Sequence, residues 1–297
     1  MKKWSQRGQW LFGCLGVGGS FYSLVHFARH FVWTWPPIGL IFLLLVCMVI
    51  EMACRAKRLV SICGVVGETI SLWEAMRMNA IGDFFAAVTP ARLGGDVSRL
   101  AIFLRRKIKL GTATLILVAE SFVDYISLLV LVGVAAIYTV WHPAAVFSRA
   151  SFVHSLLLFA GLIGALLAVF IGLMRQQKTT VRWRQWFRRF DLLGLTMIHH
   201  LIRLGFLPLI IYFVSPETSR FVAWIWSFIL IYGFNFLPIP SGGGTIELTF
   251  MTVLAPTLGD AASVALVWWR IAGHYIYILW GALMIGWSRQ NRGGRNR

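Results

Sequence analysis

Thr89-Pro90-Ala91-Arg92-Leu93-Gly94-Gly95-Asp96 interrupts an otherwise apolar segment over residues 68–105. Proline withholds a backbone donor and glycine lets the chain turn, so a helix stops and another restarts here. The arm that follows, Val97 to Leu104, has eight residues before Arg105-Arg106-Lys107. At 1.5 Å per residue it reaches about 12 Å, under half of a hydrocarbon core about 30 Å thick. Such an arm cannot cross a bilayer and must leave on the side it entered. The segment over 221–257 is broken in the same way by Pro238-Ile239-Pro240-Ser241-Gly242-Gly243-Gly244-Thr245. Both segments, 68–105 and 221–257, are expected to be re-entrant hairpins.

The rest of the chain supplies the membrane. Of 297 residues, 58% are hydrophobic and 13% charged, against about 25% charged in soluble chains. Apolar runs place six spans at about 8–26, 37–54, 112–140, 152–174, 191–213 and 261–287. Basic residues before the first run, with no small-residue cleavage site after it, read as a retained span. The fold class expected is an all-α integral membrane protein with six transmembrane helices and two re-entrant hairpins.

A formal charge of +17 would suggest nucleic acid in a soluble protein. Here the basic residues sit at the ends of apolar runs, where they set topology, and no nucleic-acid partner is expected. With the N-terminus inside, the cytoplasmic stretches hold 20 Lys and Arg, among them Arg55, Lys57 and Arg58 after the second span, and the outer ones Arg29, Arg149 and Arg220. That bias puts both termini in the cytoplasm, in a multi-pass protein of the cytoplasmic membrane. Cys14, Cys47, Cys54 and Cys63 have no metal-ligand spacing and read as ordinary membrane residues.

An internal repeat emerges from the same pass. Residues 1–145 read span, span, hairpin, span, and residues 146–297 repeat that order from the opposite side. Pro90 and Pro240 are 150 residues apart, as are Gly94 and Gly244. Glu120 and Asp124 precede Arg270 and His274 by the same 150. Inverted repeats with broken helices at mid-membrane are a transporter architecture.

Candidate site residues follow from what is expensive at bilayer depth. Restarting helices aim free N–H groups and partial positive charge at whatever lies between them, so Arg92, Gly94, Gly95, Arg99, Gly243, Gly244 and Glu247 are candidates for holding a phosphate-bearing ligand. The glycines would equally serve tight packing, with Asp96 and Thr245 as helix caps, and Glu247 would serve as a dipole-favoured cap or a cation contact. Glu120 and Asp124 share one helical face, as do Arg270 and His274. They are expected to meet across the pseudo-twofold as a central charge network, either a structural ion pair or a headgroup or proton site. Asn79 with Asp83, and His199 with Arg203, are i,i+4 pairs that would line a cavity. Residues 182–189 alternate basic and aromatic side chains as an interfacial helix does. The chain has no GxxxxGK[ST] phosphate loop, HExxH, Asp-rich magnesium cluster or GxSxG elbow, and no cofactor and no metal is expected.

Asn79…Pro90-Ala91-Arg92-Leu93-Gly94-Gly95…Arg99, then Glu120…Asp124, then Pro238-Ile239-Pro240-Ser241-Gly242-Gly243…Glu247 and Arg270 together resemble the lysylphosphatidylglycerol synthase transmembrane, or flippase-like, family over essentially the whole chain. Glu120 is followed by Ser121 where the family usually has Arg. The resemblance implies lipid translocation or lipid-linked biosynthesis in the cytoplasmic membrane. The sequence ends ten residues after its last span, so a soluble aminoacyl-transferase half is not expected. The function expected is a flippase-like transporter for an anionic lipid or lipid-linked headgroup. The alternative is a membrane enzyme or accessory acting on polyprenyl-phosphate, aminoacyl-phospholipid or hopanoid lipids. The partner expected is an anionic membrane lipid, and the protein partner stays open between a second copy and a separate lipid-modifying enzyme.

Overall fold

The computed structural model describes residues 35–89, 92–141, 189–233 and 244–293, with isolated positions at 18, 19, 21, 22, 25, 26, 168, 171 and 172. Among these residues the chain is helical, without strands. Four helices are α1 (Ile38–Val65), α2 (Leu72–Val88), α3 (Gly94–Arg105) and α4 (Leu110–Trp141). They are followed by α5 (Phe190–Val214), α6 (Arg220–Tyr232), α7 (Thr245–Leu258), α8 (Ala261–Arg270) and, after a π-helical turn Ile271–Tyr275, α9 (Ile276–Gly293).

Four stretches are long and apolar enough to cross a membrane: Ile38–Val65, Leu110–Val134, Phe190–Val214 and Ala261–Trp287. The protein is therefore a multi-pass membrane protein. These correspond to the spans expected at 37–54, 112–140, 191–213 and 261–287. Those expected at 8–26 and 152–174 lie outside the described residues except for the isolated positions named above, as do most of the interfacial segment and the tip residues 234–243. The second span departs in one respect. It does not end at 54; α1 runs on to Val65, because Arg55 and Arg58, which looked like a cytoplasmic flank, are held within the helix by acidic partners.

Apolar side chains divide along each span by what they meet. On α1, Leu40, Leu44, Met52, Ala56, Leu59, Ile62 and Cys63 are buried, most of them separated by three, four or eight residues as on one face of a helix. Ile38, Phe42, Leu45, Val46 and Val49 are exposed, the surface that a bilayer covers.

The chain forms two compact units that interleave along the sequence. One is Met1–Val49, Arg77–Arg99 and Ile202–Arg297; the other is Ile50–Met76 and Leu100–Leu201.

In the first unit, α2 folds back on α3 through the interrupted segment. A Cβ added at Gly94 would lie 2.6 Å from Thr89 and 2.7 Å from the Phe85 carbonyl oxygen, and one at Gly95 3.1 Å from Ala86. Thr89 Oγ1 donates to the Phe85 carbonyl at 2.7 Å and accepts from the Gly94 N–H at 2.8 Å. The α2 end is thereby stitched to the α3 start. Gly281 on α9 is closer still to α2: its Cβ would stand 2.3 Å from the Ala80 carbonyl oxygen and 2.7 Å from Phe84. In the second unit, Arg106 pairs with Glu74 and donates to the Thr69 carbonyl at 3.1 Å. The Ser71 N–H, 2.9 Å from Glu74 Oε2, is the main reason that the Glu74 carboxyl titrates below the ordinary range, with Arg106 assisting.

Candidate functional site

Arg92 is the residue at which the interrupted segment becomes chemically specific. Its φ of 57° lies in the left-handed region, which a non-glycine side chain adopts at a cost of about 1–2 kcal/mol. Strain of that kind persists where the surroundings impose it, and it collects at functional sites.

Arg92 lines a cavity in the first unit together with Asp83, Arg203, Gly273, His274 and Tyr277. Its room is about that of one water molecule, the size of a single phosphoryl oxygen. Each wall has a local cause. Asp83 comes from α2, one turn after the buried Asn79. Arg203, on α5, lies with its guanidinium 4.9 Å over the Tyr277 ring, a cation–π contact that fixes its direction. Gly273 and His274 belong to the π-helical turn, whose extra residue per turn redirects side chains and recurs at functional positions. Arg92, Arg203 and Arg270 all act electrostatically on His274. Among the described residues the wall carries two guanidiniums, Arg92 and Arg203, and one carboxylate, Asp83.

Glu247 sits in the first turn of α7, and the cation it meets is Arg270. It is buried, with Arg270 Nε donating to its Oε1 at 2.7 Å and Arg270 Nη2 at 2.5 Å. The first-turn position after Gly244, whose φ is 88°, delivers the carboxylate to α8. Arg99 is 3.7 Å from Asp96, and its stem lies where a Gly82 Cβ would be. Gly94 and Gly95 are filled against by their own hairpin, so their missing Cβ atoms serve packing. Gly243 lies outside the described residues.

Of the residues expected to form a central network, Arg270 pairs with Glu247, and Glu120 and Asp124 pair with a cation that was not expected. Glu120 and Asp124 belong to the second unit, and Arg270 and His274 to the first. The partner of both carboxylates is Arg58. Its Nη2 donates to Glu120 Oε1 at 2.7 Å and to Asp124 Oδ2 at 3.0 Å; its Nη1 donates to Asp124 Oδ1 and, at 3.3 Å, to Thr196 Oγ1. Sequence reasoning missed Arg58 because a span ending at 54 leaves it outside, and it did not single out Glu51 although that residue lies within the span. The signal was present: Glu51, Arg55 and Arg58 fall at i, i+4 and i+7 on one helical face.

The same cluster takes in α5. His199 Nδ1 is 2.8 Å from Glu51 Oε1, and His200 Nε2 is 3.3 Å from Asp124 Oδ1. Glu51, Arg58, Glu120, His199 and His200 are all buried. Asp124, His199 and His200 bring one possible ligand atom each within 4.8 Å of one another, but Arg58 already occupies both Asp124 oxygens with a positive charge of its own.

Spanning helices, a strained arginine at a helix break and buried charges define a polytopic membrane protein with a polar site set among its spans. The chain belongs to the lysylphosphatidylglycerol synthase TM region family, whose pattern matches residues 18–281, and is thus a membrane protein of lipid metabolism or transport. No curated protein and no solved structure matches it significantly.

Proposed function

We propose that this protein moves an anionic lipid headgroup across the membrane, with a phosphate oxygen held by Arg92 and Arg203. The observation that carries the reading is the convergence of these two arginines and His274 on one cavity in which, among the described residues, Asp83 is the single carboxylate. Membership of a lipid-handling membrane family supports it. Two guanidiniums grip a phosphate through charge-assisted hydrogen bonds, and residues 68–105 and 221–257, as re-entrant hairpins of an inverted repeat, would offer such a grip from both faces.

The test is transbilayer movement of labelled phosphatidylglycerol in proteoliposomes. Arg92→Ala removes a charged hydrogen bond worth about 1.5–3 kcal/mol, so movement per folded protein should fall roughly tenfold or more. Wild-type protein that moves no lipid would instead favour an accessory role in lipid modification.

A further inference from the structure

Trp269, the last residue but one of α8, is 4% exposed. Its ring lies against Phe250 of α7, with centroids 5.7 Å apart and planes 25° apart, a stack that holds the indole in one orientation. The indole Nε1 is buried and, among the described residues, has no hydrogen-bond partner. A buried donor without an acceptor is costly, and a tryptophan at such depth ordinarily finds one. Gly273, one turn on, marks where an acceptor can approach. A Cβ added there would lie 3.9 Å from Trp269 Nε1 and 3.7 Å from Phe206 Cδ2. Gly273 also belongs to the wall of the Arg92 cavity, so a side chain at 273 would stand against the indole N–H from that wall. His274, its neighbour on the wall, likewise keeps Nε2 buried and without a hydrogen-bond partner among the described residues.

We propose that Trp269 is a further binding residue of this site, its Nε1–H donating past Gly273 to an unesterified phosphate oxygen of the lipid headgroup. An indole N–H donates and cannot accept, so the atom that meets it is an acceptor. An ammonium group, which only donates, cannot answer it. The contact therefore selects the phosphate of a headgroup over any amine the headgroup carries. It also adds a neutral hydrogen bond of fixed direction to two guanidiniums. The identity of the ligand rests on the function proposed above; the buried indole and the open glycine beside it do not. Inorganic phosphate presents the same oxygens as a lipid phosphate, and the experiment separates the two.

The experiment follows the tryptophan indole N–H signals by NMR in the full chain, nitrogen-labelled and held in maltoside micelles, which contain no phosphate. Trp269→Phe identifies the signal, since it removes the N–H and keeps a ring to stack on Phe250. Added phosphatidylglycerol should move the Trp269 signal downfield to a plateau, and diacylglycerol, which lacks the phosphate, should not. A signal unmoved by phosphatidylglycerol, or moved equally by diacylglycerol, overturns the proposal. So does a response to inorganic phosphate alone, which would make this a site for the free ion. Native mass spectrometry then measures phosphatidylglycerol affinity in Trp269→Phe and Gly273→Ala. Each should bind about three- to tenfold more weakly, the loss of one neutral hydrogen bond. Neither should melt earlier than wild type, because the new methyl at 273 meets its neighbours at ordinary contact distance. Wild-type affinity in both variants overturns the proposal, as does a lowered melting temperature with unchanged affinity, the mark of a packing role. Loss of lipid in Arg92→Ala with full binding in these two would defeat this inference alone. Wild-type protein that binds the lipid with the expected shift but does not move it would defeat the transport reading alone.

Discussion

Arg58 holds two carboxylates at once, with one face of its guanidinium on Asp124 and the remaining Nη2 bond on Glu120. Taking away such a residue leaves buried Glu120 and half-buried Asp124 without their cation, and removing one partner of a buried pair costs about 3–5 kcal/mol. Arg58→Ala should therefore lower the melting temperature sharply in detergent or nanodiscs. Adding Glu120→Gln and Asp124→Asn to it should restore most of the loss, since no buried charge is then left stranded. A triple variant no more stable than the single one would show that Arg58 acts through something other than these carboxylates. That Glu120 and Asp124 needed a buried cation was legible from their place inside an apolar run. Which cation supplies it was not, because the partner lies 62 and 66 residues away and a single sequence carries no distance information. Arg92 was legible for a different reason: it sits between a proline and two glycines, where backbone chemistry alone predicts a break. Its left-handed conformation and its meeting with Arg203 and His274 were not, since both depend on how α2, α5 and the π-helical turn pack.

At the level of elements, glycines fix how closely two helices approach. Gly94 and Gly281 have no room for a methyl group: the nearest backbone oxygens would stand 2.7 Å and 2.3 Å from an added Cβ. Gly94→Ala and Gly281→Ala should each destabilise the protein by about 1–3 kcal/mol, the usual result of overpacking a close contact. Gly64, on α1, has nothing within 4 Å of its Cβ position, and Gly64→Ala should be neutral or stabilise by up to about 1 kcal/mol. Thermal melts of the three variants side by side separate packing glycines from dispensable ones. Pattern reading found the four described spans because long apolar runs have few alternative explanations. It missed the π-helical turn in Ala261–Trp287 because one extra residue barely disturbs hydropathy. It also ended α1 too early, because charges at the close of a run look like a flank unless acidic partners elsewhere are known to draw them inward.

For the whole molecule, the consequence open to direct measurement is orientation, since the distribution of basic residues is a statement about the bilayer rather than about packing. Arg58 drops out of the cytoplasmic tally, being buried on an ion pair, and the bias survives its loss. Lys107 and Glu217 test it at two exposed loop positions. If the N-terminus is inside and residues 68–105 form a re-entrant hairpin, residues 105–109 lie on the cytoplasmic side. The turn after α5, residues 215–219, lies outside, because α5 crosses from within. In a background with Cys14, Cys47, Cys54 and Cys63 replaced by serine, Glu217→Cys in intact cells should react with a membrane-impermeant maleimide. Lys107→Cys should react only after the membrane is opened. Lysing the cells controls for access, since both positions must then label. External labelling at 107 would mean that the segment over 68–105 crosses the bilayer completely, which its short second arm forbids without a much thinner membrane. Labelling at 107 with protection at 217 would turn the whole protein over. The cavity at Arg92 would then open its hairpin to the outer leaflet, and the direction from which a lipid headgroup reaches it would be reversed.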